Sequence, residues 1–205
     1  MVLRLWNSIQ VVVGIKCSVS FLRQGLHVRS GLFKTIPRGT GENMPALTIR
    51  FINTKGIISR LITGETFSLM DHTEGLNRAG DAWVGAHAWT GIEARPLDWA
   101  DKDLIWERRY SIPVTDAQYK LAMAYMEASI GVKYDYRGIL GMVLRQRKMY
   151  STDRMDCSQF MCNWLMAAGL YPLNVRAAYT WMISPESLHL SPLFIGRRTT
   201  TIGAI

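Results

Sequence analysis

The sequence predicts an α+β domain, with an antiparallel sheet laid down first along the chain and helices following it. Three observations point there. Short β-branched and alternating stretches, broken by turn residues, occupy 47–113. The first firm helix-start signal comes only at Thr115. No apolar run approaches the ~18 residues of a membrane-spanning helix, so the predicted helices belong to a packed domain.

The totals agree. The chain has 205 residues, 48% apolar and 20% charged, which suits one domain with a sizeable core. Its net charge of +8 is uneven. Residues 1–43 carry Arg4, Lys16, Arg23, Arg29, Lys34 and Arg38 against the single acid Glu42. Residues 44–205 hold 18 basic and 15 acidic residues, a net of +3. That is too mild, and too free of binding motifs, for a nucleic-acid partner.

The segment 1–43 is basic and nearly acid-free, and is set apart from the domain at 44–205. As a secretory signal it is poor: VVVGI is short and no small-residue cleavage site follows. Two readings stand: a mitochondrial-type targeting segment, or a stretch outside the native protein, disordered if it is made. In the second, translation starts at Met44, since Gly41-Glu42 can be encoded by a purine-rich ribosome-binding sequence. The location expected is cytoplasmic or phage-associated.

Along the domain, LTIRFI at 47–52 reads as a strand, and KGIISRLITGE at 55–65 as a short helix. FSLMDHTEGL reads as a strand turned by NRAGD, and DAWVGAHAW with TGIEARPL as a hairpin with Gly91 at its turn. LIWERRYSIPV is a further strand ending at Pro113. Thr115 and Gln118 then form a capping box, Leu121, Ala122, Tyr125 and Met126 an apolar stripe, and Gly131 a stop. YDYRGILGMVL reads as a second helix and RQRKMYSTDR as a loop. DCSQFMCNWLMAAG reads as a third helix, capped by Asp156, with Gln159 at the capping-box position and Gly169 closing it. Beyond lie turn signals at Tyr171-Pro172, Ser184-Pro185 and Ser191-Pro192.

The chemistry centres on Cys157. A helix-first-turn cysteine meets free N–H groups and the positive end of the dipole, which favour a thiolate and could hold an oxyanion. Asp156 beside it works the other way, and a small core residue is the competing reading. Cys162, deeper in the helix, reads as core. Cys17, Cys157 and Cys162 have neither disulfide-scaffold nor zinc-knuckle spacing.

A thiol nucleophile needs a base, and His72 and His87 lie on neighbouring predicted strands. His27 sits in the basic segment and His189 in a Pro/Ser-rich tail. His87 could orient His72; so could Glu74, two residues on and on the same face, with Asp71 and Glu93 as weaker candidates. A zinc site from His72, His87 and Cys157 lacks the usual ligand spacings, so no metal and no cofactor are expected. Trp83, Trp89, Trp99 and Trp106 read as core and strand packing rather than a cleft lining. Arg145, Arg147, Lys148 and Arg154 read as a solvated loop rather than an anion trap.

Together, DHTE, WVGAHAWTGIEARPLDW, YDYRGILG, DCSQFMCNWLMAAGLYP and ISPESL resemble the permuted papain-like hydrolases of the YiiX-like, NlpC-related group, including phage-encoded members, over residues 47–191. That family is similar in placing its histidine strand before its cysteine helix, a circularly permuted order. Its S-H-V-E motif corresponds to Asp71-His72-Thr73-Glu74, and its C-S-E-F motif to Cys157-Ser158-Gln159-Phe160, with Gln159 replacing the acid. The resemblance implies Cys157 as nucleophile and His72 as base, with Glu74 or His87 as the third residue. It implies an antiparallel sheet packed on a papain-like catalytic helix. It also implies cleavage of an amide, ester or thioester bond on a peptide or acyl substrate, peptidoglycan being one such substrate. The alternative is a non-catalytic interaction or virion-associated protein that keeps the fold.

Overall fold

The computed structural model describes residues 44–55, 69–143, 146–151 and 153–202. Residues 1–43 and the expected helix beyond Lys55 lie outside that set.

A six-stranded antiparallel sheet forms the base of the domain. Five strands come early: β1 (Ala46–Thr54), β2 (His72–Leu76), β3 (Ala82–His87), β4 (Gly91–Pro96) and β5 (Leu104–Pro113). Two short strands follow, β6 (Lys133–Tyr134) and β7 (Arg154–Met155), and then β8 (Arg198–Ile202) near the C-terminus. The spatial order is β4-β3-β2-β1-β5-β8, while β6 and β7 pair separately and in parallel. The central strand β1 has an almost continuous buried run because it is covered on both faces.

Helix α1 (Asp116–Ser129) starts at the expected capping box: Thr115 accepts from the Gln118 N–H, and the Gln118 side chain returns to Thr115 N. Its buried stripe is shifted from the expected one. Ala122, Met123 and Met126 are buried, whereas Leu121 is exposed. Helix α2 (Tyr136–Val143) leads to a 3₁₀ turn at Arg147–Met149. Helix α3 (Cys157–Ala167) buries Phe160, Met161, Cys162, Trp164 and Leu165. These pack with Leu47, Ile49 and Phe51 of β1 and Met126 of α1 in one core. Ser184-Pro185, expected as a turn, opens the short helix α4 (Pro185–His189), since proline is preset for the first helical position.

Gly75 in β2 explains how closely α3 sits on the sheet. A Cβ there would come within 2.8 Å of Met126 Cε, 3.0 Å of Met161 Cε and 3.2 Å of Trp164 Cη2. Gly91 has a different constraint. Its φ is +88°, and a Cβ would lie 2.2 Å from the Val132 carbonyl oxygen, which accepts from Ile92 N. Gly91→Ala is therefore expected to lower stability by about 2 kcal/mol or more. Gly80→Ala, also at positive φ (+76°) but with open space around it, should cost less. Thermal unfolding of the two variants checks this; equal losses would show that the Val132 contact is unimportant.

Candidate functional site

Strand register brings the site together. In β1 and β2, Arg50 stands opposite Glu74 and Ile52 opposite His72. Residues His72 and Glu74 alternate with Gly75, so they project away from the Met126–Trp164 packing. In β2 and β3, Gly75 pairs with Val84. Extending that register sets Glu74 against Gly85 and His72 against His87, and the two imidazole centroids are 4.8 Å apart. A glycine is needed at 85, because a Cβ there would lie 2.7 Å from Glu74 Cγ.

Glu74 is the hub. Its Oε1 lies 3.3 Å from His72 Nε2 and 3.1 Å from His87 Nε2. Its Oε2 accepts from Arg50 Nε at 2.6 Å and from Trp99 Nε1 at 3.3 Å. Of the two candidate third residues, Glu74 is therefore the one that meets His72 directly, and His87 turns its Nε2 to Glu74. Burial alone would raise the Glu74 carboxyl. The contacts with His72 and His87 and the Arg50 charge hold it well below the usual carboxylate range.

Arg50 was missed in the sequence, although a lone charge in the apolar strand LTIRFI is the signal that could have found it. It is wholly buried, stacked over Trp83 at 4.4 Å and with Nη1 3.8 Å from Glu107 Oε2. Arg109 in turn pairs with Glu107. Of the tryptophans, Trp83 and Trp106 are core, as expected; Trp99 walls the two histidines edge-on, and Trp89 is 84% exposed.

Cys157 is buried at the first position of α3, with its Sγ 4.0 Å from the Asp71 carbonyl oxygen, one residue before His72. Asp156 caps the helix by accepting from Gln159 N at 2.8 Å. The expected reciprocal half of that box is not formed: the Gln159 side-chain oxygen has no hydrogen-bond partner. Burial pushes the Asp156 carboxyl up to about 6.

The electrostatics link sulfur to ring. Burial would lower the His72 pKa, but the Cys157 sulfur beside it, together with Glu74, pushes it up to about 10. His87 goes the other way, down to about 4, chiefly by burial. Cys162 is buried in the helix and its thiol is pushed up to about 12, as suits a core residue. His189 packs near Tyr110 and Phe51, away from this cluster, while Glu93 pairs with Arg95 and Asp71 bonds Thr54. A metal ion could be held by His72, Glu74 and His87, whose ligand atoms all lie within 4.8 Å of one another.

No protein-family model matches the chain, and no curated protein sequence matches it significantly. Among solved structures, the chain is similar to the crystal structure of the metalloprotein yiiX from Escherichia coli O157:H7, DUF1105. The TM-score is 0.53 and the identity 16%, over 80% of this chain and 99% of that one. Among the described residues no helix is long and apolar enough to cross a membrane. The likeness, at that identity, shows a shared α+β fold.

Proposed function

We propose that the chain is a thiol hydrolase of the permuted papain-like type, cleaving an amide, ester or thioester bond through an acyl-enzyme on Cys157. One observation carries this reading: Cys157, at the start of α3, has its Sγ 4.0 Å from the backbone carbonyl just before His72, and Glu74 Oε1 lies 3.3 Å from the His72 ring.

The chemistry follows from that arrangement. With Nε2 facing Glu74, the other ring nitrogen of His72 is the one left to take the thiol proton. Once His72 holds the thiol proton, Cys157 is a thiolate and His72 an imidazolium. The thiolate attacks the substrate carbonyl carbon. The carbonyl oxygen becomes an oxyanion, held by the N–H of Cys157 at the helix start. His72 then gives its proton to the leaving group, the C–N, C–O or C–S bond breaks, and Cys157 carries the acyl group. In the second half, His72 takes a proton from water, the hydroxide attacks the thioester, and the thiolate leaves. Glu74 sets the ring's orientation and favours its charged form, and the His72 and His87 contacts, with the Arg50 charge, keep Glu74 ionised although buried. The substrate class implied by the family resemblance is a bacterial cell-wall peptide or an acyl donor.

The test uses an activated ester, p-nitrophenyl acetate, at neutral pH. The expected result is a burst of nitrophenolate and one acetyl group on Cys157 by peptide mass spectrometry, with neither in Cys157→Ala. Acetylation confined to lysines, or none, would overturn the reading.

A further inference from the structure

The turn between β3 and β4 carries a backbone cost that the fold does not need. Trp89 sits there at φ +77°, the one non-glycine residue at positive φ among the described residues. A bulky side chain is strained in that region, and glycine or asparagine would take it at less cost. The same residue is 84% exposed, so its ring adds little to the core. Strain held at an exposed aromatic points to a contact outside the chain.

The tip is anchored. Trp89 N donates to the Tyr136 hydroxyl at the start of α2, and the two rings stand 5.4 Å apart. Leu140, one turn on and half-exposed, extends the patch along the same helix face. Basic side chains flank it. Ile92 N donates to the Val132 carbonyl, which sets Lys133 beside the turn, and Arg137 follows Tyr136. Both are exposed, and neither pairs with an acid among the described residues. Asp153 lies within reach of Lys133, but Arg154 beside it offsets its charge.

We propose that Trp89, Tyr136 and Leu140, flanked by Lys133 and Arg137, dock the protein on an anionic lipid surface.

Exposure, size and charge select this occupant. Trp89 projects from a hairpin tip and is too exposed to wall a small-molecule pocket. The three side chains expose apolar surface on the order of 400 Å², about half of what one partner of a stable protein pair buries. A bilayer needs no such area. Trp and Tyr rings settle at the headgroup level, with the apolar body inward and the polar edge toward water. Lys and Arg beside them meet the negative headgroups. The tip follows His87 by two residues, so docking brings the end of the sheet that carries the thiol site near the surface. The docking itself uses no residue of that site.

The probe is a phosphatidylcholine vesicle with about 30% phosphatidylglycerol, co-sedimented with the full-length chain beside a vesicle of phosphatidylcholine alone. The expected result is tighter binding to the anionic vesicle, weakening as salt rises. Residues 1–43 carry basic side chains of their own, so the variants decide. Trp89→Gly should weaken binding about tenfold or more, and glycine accepts the positive φ, so the variant should fold. Trp89→Asn takes its place if the melt shows otherwise. Lys133→Gln/Arg137→Gln should weaken binding to the anionic vesicle roughly 30-fold. Brominated lipid should quench a tryptophan signal in the wild type that is missing from Trp89→Gly. No binding to anionic vesicles, equal binding by a folded Trp89 variant, or quenching that does not depend on Trp89 would overturn the proposal. Vesicle binding and Cys157 acetylation are read separately, so either can fail without the other.

Discussion

Replacing His72 by alanine is expected to slow acetylation of Cys157 by roughly 10²–10⁴-fold, the range of a positioned general acid–base. The ring has two functions in the proposed cycle. It takes the thiol proton as Cys157 attacks, and it delivers that proton to the leaving group. Alanine removes both. It also leaves Glu74 with only Arg50, Trp99 and His87 around it, which still compensate its charge. The variant should therefore fold, and a circular dichroism melt beside the stopped-flow rates separates lost chemistry from lost structure. A folded His72→Ala protein that acetylates at the wild-type rate would remove His72 from the mechanism.

Replacing Arg50 by methionine is expected to destabilise the domain by about 3–5 kcal/mol, the cost of breaking a buried pair from one side. The guanidinium is wholly buried, 2.6 Å from Glu74 Oε2 and 3.8 Å from Glu107 Oε2, so its loss strands charge with no route to water. Arg109 remains on Glu107, so Glu74 is the group that loses its permanent counterion, with the His72 ring as its remaining chargeable neighbour. The double variant Arg50→Met/Glu74→Gln should therefore recover part of the loss, a coupling readable from urea midpoints. If the double variant is less stable than the single by the full cost of an independent Glu74 change, the pair is not coupled and the picture of Arg50 as the counterion of Glu74 is wrong.

The elements legible in the sequence were those with a local physical signal. The Thr115 box, the glycine at 91 between two strands and Asp156 before an apolar helix each carry their reason within a few residues. The elements not legible depend on distant partners. Strand β8 is polar, RTTTI, and is a strand only because β5 offers it an edge. β6 and β7 have two residues each and exist because they meet. The shifted stripe of α1 has the same origin: Leu121 and Met123 have similar intrinsic claims to burial, and the sheet decides between them.

The site divides the same way. His72 and Glu74 are two apart on one strand, so their shared face was readable; that His87 comes beside His72 and shares Glu74 with it was not, because it depends on the β2–β3 register. The Arg50 contact was beyond reach for the same reason, a cross-strand pairing 24 residues away. From the sequence, Glu74 and His87 are alternatives for the one role of orienting His72. In the folded chain Glu74 serves both rings at once.

The central claim is that Cys157 is the nucleophile and His72 its base. The most direct measurement is the rate of Cys157 alkylation by iodoacetamide across pH 4 to 9, followed by peptide mass spectrometry on chelator-treated protein, with His72→Ala beside it. At about pH 6.5 an ordinary thiol of pKa ~8.5 is only ~1% ionised. The account predicts that Cys157 is alkylated readily there, that Cys162 is not, and that His72→Ala abolishes the advantage. A Cys157 that reacts only above about pH 8, or at the same rate without His72, would contradict it and move the interaction-protein reading ahead.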